Sequence, residues 1–150
     1  LAVSSREAAI AALHGAIAAA LASRSPAPQV LRGDTVPQRV PAGGLVTVQD
    51  GETVEETAIL SPLRWQVRHV AEVVVAAAGP TPEARAAALD ALLVDVADAI
   101  AADRTLGGAV EWAQPESPAF DDLAFEGAAS IRAASVPVSL WFTTRETPLA

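Results

Sequence analysis

Apolar residues in the first segment recur at Ile10, Leu13, Ile17 and Leu21, three and four positions apart in an alanine-rich run. That spacing predicts a helix over 5–23 with one core-facing stripe. Ser4 or Ser5 can cap its start, Glu7 suits the positive end of its dipole, and Ser-Pro-Ala-Pro at 25–28 stops it. Ala-Leu-Ala at 20–22 also resembles a leader-cleavage site. Its positive flank is poor, since Glu7 cancels Arg6, and His14 and Gly15 interrupt the apolar run. A core-facing helix is the reading adopted over a leader or a membrane span. The chain begins Leu-Ala, and a non-standard start codon is the expected cause.

Between 29 and 78 the period shortens to two. Residues 30–44 give short extended pieces broken by Pro37 and Pro41. Asp50-Gly51, set between alternating runs, predicts a two-residue hairpin turn. Residues 63–79 predict a long central strand. Trp65, Val67, His69, Ala71, Val73 and Val75 share one face; Arg64, Gln66, Arg68, Val70, Glu72 and Val74 share the other.

The helical period returns after Gly79. Thr81 caps a second helix, with Pro82 at its first position and Glu83 in its first turn. Leu89, Leu92, Leu93, Val96 and Ile100 form its stripe, with Asp90, Asp95 and Asp98 to the side. Gly107-Gly108 lies beyond its end. Three strands follow, over 108–114, 122–127 and 130–144, the first two forming a hairpin over 109–126 around Pro115 and Pro118. Pro137 cannot donate to a sheet ladder, so its segment is expected at an edge or a bulge. The sum is one α+β domain over 1–150: a mainly antiparallel sheet with a long central strand, β-hairpins, and two helices packed on one face.

Composition narrows the chemistry. The 150 residues carry a net charge of −8, with ten arginines, no lysine and no cysteine. Scattered single arginines in an acidic chain do not make a nucleic-acid clamp. Lack of cysteine removes disulfides, thiolate nucleophiles and sulfur-ligated metals. His14 and His69 are the only histidines, one on a helix and one on a strand, and read as packing or surface rather than as ligands. Ser130 has no nucleophile-elbow frame, and no phosphate-binding glycine loop occurs. Glu55-Glu56 and Asp121-Asp122 are adjacent pairs, and neighbours on a strand point to opposite faces. The six aromatics, Trp65, Trp112, Trp141, Phe120, Phe125 and Phe142, have no arginine cluster to make a stacking platform. No catalytic residue, cofactor or metal site is assigned. Asp103-Arg104 before Gly107-Gly108 reads, on physical grounds, as the close of a helix.

The run from Leu89 to Gln114, containing Asp103, Arg104, Thr105, Leu106, Gly107 and Gly108, resembles the tail terminator proteins of long-tailed phages and of phage-derived gene transfer particles. So does the closing strand through Trp141, Phe142, Thr143 and Thr144. The resemblance spans Val30 to Thr144 in short motifs, with Phe142 where a tyrosine is common and an alanine-heavy first helix. It implies a non-enzymatic structural protein: a ring, expected to be a hexamer, that caps the head-proximal end of the tail tube, stops its growth and joins it to the neck. The implied partners are further copies of the chain, the tube protein and a neck or head-completion protein, with DNA only in transit and no membrane. The implied place is the tail or neck of a virion or phage-like particle assembled in a bacterial cytoplasm.

A ring closes through head-to-tail interfaces. Asp103, Arg104, Leu106, Trp112, Pro137 and Trp141 are the expected interface residues. Glu52, Glu55, Glu56, Asp121, Asp122 and Glu126 are the expected lumen or rim acids. The rival readings are another head–tail connector or tube ring component, a small α+β enzyme, and a periplasmic binding or adhesion domain.

Overall fold

A computed structural model describes residues 2–33, 39–123 and 131–150. The chain runs α1 (Ser5–Leu21), β1 (Gln29–Arg32), β2 (Leu45–Ile59), β3 (Arg64–Ala78), α2 (Pro82–Ala102), β4 (Trp112–Pro115), β5 (Ala119–Leu123) and β6 (Ile131–Arg145). Both helix starts are capped as their sequences dictate. Ser4 Oγ accepts from the Glu7 amide at 3.1 Å, and Thr81 Oγ1 from the Ala84 amide at 3.1 Å.

One sheet forms in the order β1-β2-β3-β6-β4, with β5 also on β6. Only β1–β2 is parallel; the other pairings are antiparallel, so the architecture is α+β. The long central strand is β3, and its alternation is as expected. Val67, His69, Ala71, Val73 and Val75 are buried on the inner face. There they meet Val136, Val138, Leu140 and Phe142 of β6, and Leu13, Ile17, Leu89, Leu92, Val96 and Ile100 of the helices. Burial of each such side chain stabilises by about 1.5–3 kcal/mol. Leu45, Ala76, Ile131 and Ala133 form a smaller cluster with Leu31 and Val40.

Three expectations are corrected. The chain does not reverse at Asp50-Gly51: β2 runs on to Ile59, and the turn comes at 60–63. Gln49 pairs with Glu72 but Glu52 pairs with Val70, so Asp50 and Gly51 form a bulge opposite one residue. Gly51 has φ 68°, a value that a hairpin turn and a glycine bulge both use, so the Asp-Gly signal fits either.

Secondly, β4 and β5 do not pair as a hairpin. Each pairs with β6, β4 over Val138–Trp141 and β5 over Ile131–Ser135. The remainder of the 122–127 strand, with Phe125, lies outside the described residues, as do Pro37 and Ser130.

Thirdly, Pro137 is on no edge, because β3 flanks β6 along its length. The Pro137 carbonyl accepts from the Glu116 amide at 2.7 Å, on the side where β4 gives way to β5. In a strand a residue's N and O point to the same side, so the missing N–H faces that break. The partner strand is interrupted where β6 has no donor to offer.

Candidate interaction surface

The loop after α2 closes on itself. Asp103 caps the helix with φ −150°. One carboxylate oxygen accepts from the Thr105 amide (3.0 Å) and hydroxyl (2.7 Å), and the other from the Gly107 amide (2.7 Å). Thr105 Oγ1 in turn accepts from the Gly108 amide at 3.3 Å. The amides a phosphate would need are spent on Asp103, so this is no phosphate cradle. Leu106, Gly107 and Gly108 all have positive φ, which turns the chain back under α2.

Hydrogen bonds from the Thr105 hydroxyl, then from the Gly107 and Thr105 amides, hold the Asp103 carboxyl below its ordinary value. A depressed carboxyl stabilises the fold above its unfolded pKa, and the gain disappears as pH falls through the folded value. Asp103→Ala is therefore expected to lower the thermal midpoint at neutral pH. The gap to wild type should close in the acid range, as a pH series of melting curves would read.

Arg104 does not pair with Asp103. Its Nη1 donates to the Ala113 carbonyl (3.1 Å) and to Gln114 Oε1 (3.2 Å), and its guanidinium lies 5.2 Å from the Trp112 ring centroid. Trp112 stands opposite Trp141 across β4 and β6. Arg68 lies 6.0 Å from the Trp141 ring. Arg68 also donates to Ser139 Oγ (3.2 Å) and Glu55 (3.1 Å), and Ser139 donates to Glu116 (3.1 Å). The result is an ordered arginine–tryptophan ladder on the sheet face away from the helices.

Of the expected interface residues, Arg104, Trp112 and Trp141 come together in this ladder. Pro137 lies on β6 on the same face as Trp141. Asp103 is exposed, but its carboxylate is engaged within the loop. Leu106 is a correction: it is buried in the main core, a plug beneath the loop rather than a contact surface.

The expected acids split into two groups. Glu52, Glu55 and Glu56 lie on β2 and Asp121 on β5, with β3 and β6 between. Glu55 is level with Arg68 of β3, whereas Asp121 is level, through Ala133, with Ala76. Eight residues along a strand separate those levels by roughly 27 Å. The structure does not gather them into one patch. The Asp122 side chain and the whole of Glu126 lie outside the described residues.

Sequence reasoning did not identify two further features. The first is the β2–β3 turn with its flanks, where β2, β3 and β6 run side by side to Ile59, Arg64 and Arg145 and the apolar residues Ile59, Leu60 and Leu63 are exposed, Leu60 to 74%. The second is His69, only 3% exposed. Arg6 Nε, which can only donate, reaches Thr53 Oγ1 at 3.1 Å, and Thr53 Oγ1 lies 3.0 Å from His69 Nδ1. The Thr53 hydroxyl therefore donates to Nδ1, and Nε2–H donates to the Asp50 carbonyl. Burial holds the imidazole below its ordinary pKa, and the Arg6 charge acts in the same direction. Nearby, Arg32 bridges Glu7 (2.5 and 2.6 Å) and Asp50 (3.3 Å), tying α1, β1 and β2 together. That bridge is exposed and contributes little to stability.

The described residues also form two concavities of note. A notch of about 120 Å³ beside Arg24 lies between the end of α1 and Leu92. Arg24 Nη1 lies 2.9 Å from Asp95 Oδ2, an ion pair by distance, but the angle is not that of a hydrogen bond. A wider groove of about 400 Å³ runs between the start of α1 and the 108–111 segment. Among the described residues no cluster of His, Asp and Glu could hold a metal ion, and no helix is long and apolar enough to cross a membrane. No protein-family model matches the chain, and no curated protein matches it.

Proposed function

We propose that this chain is a structural subunit of a phage-type tail. On this reading it forms a hexameric ring that caps the tail tube, stops tube growth and offers the neck a surface to join. The observation that carries the proposal is the exposed apolar turn between β2 and β3. Ile59, Leu60 and Leu63, in or beside that turn, are each more than two-fifths exposed at one end of the sheet. Clustered exposed apolar groups mark an interaction site. An apolar turn at one end of the sheet and an arginine–tryptophan face elsewhere are two unlike surfaces of the kind a head-to-tail ring needs. The resemblance of the Asp103–Gly108 loop and the closing strand to tail terminators supports the same reading. The net charge of −8 suits a ring through which DNA passes without sticking.

Two measurements test this. Purified chain added to polymerising tube protein is expected to give short, capped tubes, counted by electron microscopy. Deleting the gene from a particle-producing cell is expected to leave tails of uncontrolled length without heads. Normal tails joined to heads in the deletion strain would defeat the proposal.

A further inference from the structure

We infer that residues 146–150 form a strap after β6 that Arg6 holds shut, and that protonation of His69 opens it. The inference does not depend on the ring reading.

The strap leaves β6 at Glu146, whose φ of 64° is a strained left-handed conformation for a residue with a side chain. All of it is exposed except Pro148, which is half-buried, and Leu149 is 76% exposed. Burial therefore contributes little, and hydrogen bonds to its carbonyls hold it. Trp65 Nε1 donates to the Glu146 carbonyl at 3.3 Å, and the Thr144 hydroxyl to the Thr147 carbonyl at 2.6 Å. Arg6 on α1 holds the far half, from Nη2 to the Pro148 carbonyl at 3.0 Å and from Nη1 to the Leu149 carbonyl at 3.2 Å. A segment held this way opens locally at small cost.

Arg6 is also the link to His69. Its Nε donates to Thr53 Oγ1 and the Thr53 hydroxyl donates to His69 Nδ1, so one guanidinium serves both the strap and the partner of the buried histidine. A proton on Nδ1 turns that acceptor into a donor. Thr53 Oγ1 then faces two donors, both cationic, and its own hydrogen loses its acceptor. His69 is buried and its Nε2–H stays bonded to the Asp50 carbonyl, so the ring is fixed. Arg6 is only half-buried and can swing into water. When it goes, the Pro148 and Leu149 carbonyls lose their donor. The groups around the ring agree with this. Arg6 faces it from α1, the Asp50 and Glu52 carboxylates from β2, and the β6 residue opposite is the uncharged Leu140. Arg32 of β1 is already bound to Asp50. Both acids favour the charged ring; of these groups only Arg6 opposes it, and Arg6 is the one free to leave. A local charge change on a histidine thus biases a two-state segment.

The coupling is reciprocal: whatever loosens the strap frees Arg6 and so raises the His69 pKa. The test is an NMR titration of the full chain from pH 8 to 4, following the His69 ring and the heteronuclear NOE of the Thr147, Leu149 and Ala150 amides. These amides are expected to be ordered while His69 is neutral and to become mobile with its titration midpoint. His69→Gln, uncharged throughout, is expected to keep them ordered through that midpoint, which separates the switch from carboxylate titration. Arg6→Gln is expected to leave them mobile already at pH 8. Pro148→Gly changes no charge and loosens only the strap. It is expected to raise the His69 pKa by about 0.7, which is a coupling of roughly five-fold. Amides that stay ordered when His69 is charged or in Arg6→Gln, or that loosen equally in His69→Gln, overturn the inference. So does a His69 pKa unmoved by Pro148→Gly, or a ring still neutral at pH 4.

Discussion

Gly51→Val is expected to be the most damaging single substitution in the sheet, with Gly51→Ala alone costing about 3 kcal/mol or more. A Cβ at position 51 would lie 1.8 Å from the Val70 carbonyl oxygen, 2.8 Å from its carbon and 2.9 Å from Ala71 Cα. All three are backbone atoms of the central strand, so no rotamer change relieves the clash. The φ of 68° adds the left-handed strain of a side-chain-bearing residue, about 1–2 kcal/mol. The chain must then break the β2–β3 ladder or move the bulge. Against a typical stability of about 5–15 kcal/mol, the valine variant is expected to lose cooperative unfolding. Urea denaturation measures the loss, and Gly15→Ala serves as the control. Position 15 is inside α1 with open space around a Cβ, so alanine there is expected to be neutral or slightly stabilising. A fully stable Gly51→Ala protein would show that β2 pairs in another register.

The same bulge shows where the sequence was legible and where it was not. Helix starts at Ser4 and Thr81, the core stripe Leu13–Ile17–Leu21 and the two faces of β3 follow from local chemistry and periodicity, and each stands in the structure. Local signals failed where two structures share one chemistry. Asp-Gly supplies a positive φ to a turn or to a bulge, and only the partner strand decides between them. Pro137 was expected to avoid a central position, but an interrupted neighbour removes the need for its N–H. The Asp103 loop was legible as a helix ending. Arg104 was not legible as the group lying over Trp112, because that contact depends on β4 docking against β6. The exposed β2–β3 turn was missed for a different reason. Ile59, Leu60 and Leu63 look like ordinary core residues until the chain is seen to reverse at 60–63, which leaves them exposed.

His69 is the group that makes the bulge tolerable, and replacing it is expected to have the second largest effect. At a bulge the ladder fails to supply a donor for one carbonyl, here that of Asp50, and His69 Nε2–H takes that place. On its other side Nδ1 receives the Thr53 hydroxyl, just before a second slip in register between Thr53 and Glu55. One buried ring thus pins both irregularities. His69→Ala is expected to cost about 2–4 kcal/mol, combining a cavity with unpartnered polar groups. His69→Gln, which keeps a donor and an acceptor, is expected to recover part of that loss.

The pH dependence has a fixed sign. The folded state holds the imidazole below its ordinary 6.5, chiefly through burial, so the unfolded chain binds more protons in the window beneath that value. Stability is therefore level above about pH 6.5 and falls as pH drops toward the folded pKa. Arg6 on α1 opposes protonation, while the Asp50 carbonyl, with the Asp50 and Glu52 charges on β2, favours it; the net direction is down. Protonation would place a second cation beside Arg6 and leave the Thr53 hydroxyl without its acceptor. Glu7 and Asp103, also depressed, add a separate loss only in the carboxylate range. Urea midpoints measured from pH 8 to 5 are expected to slope in wild type and to flatten in His69→Gln. An NMR titration that places the His69 pKa at or above its ordinary value would show that the ring is solvated, and with it that the bulge is held by something other than this hydrogen-bond chain.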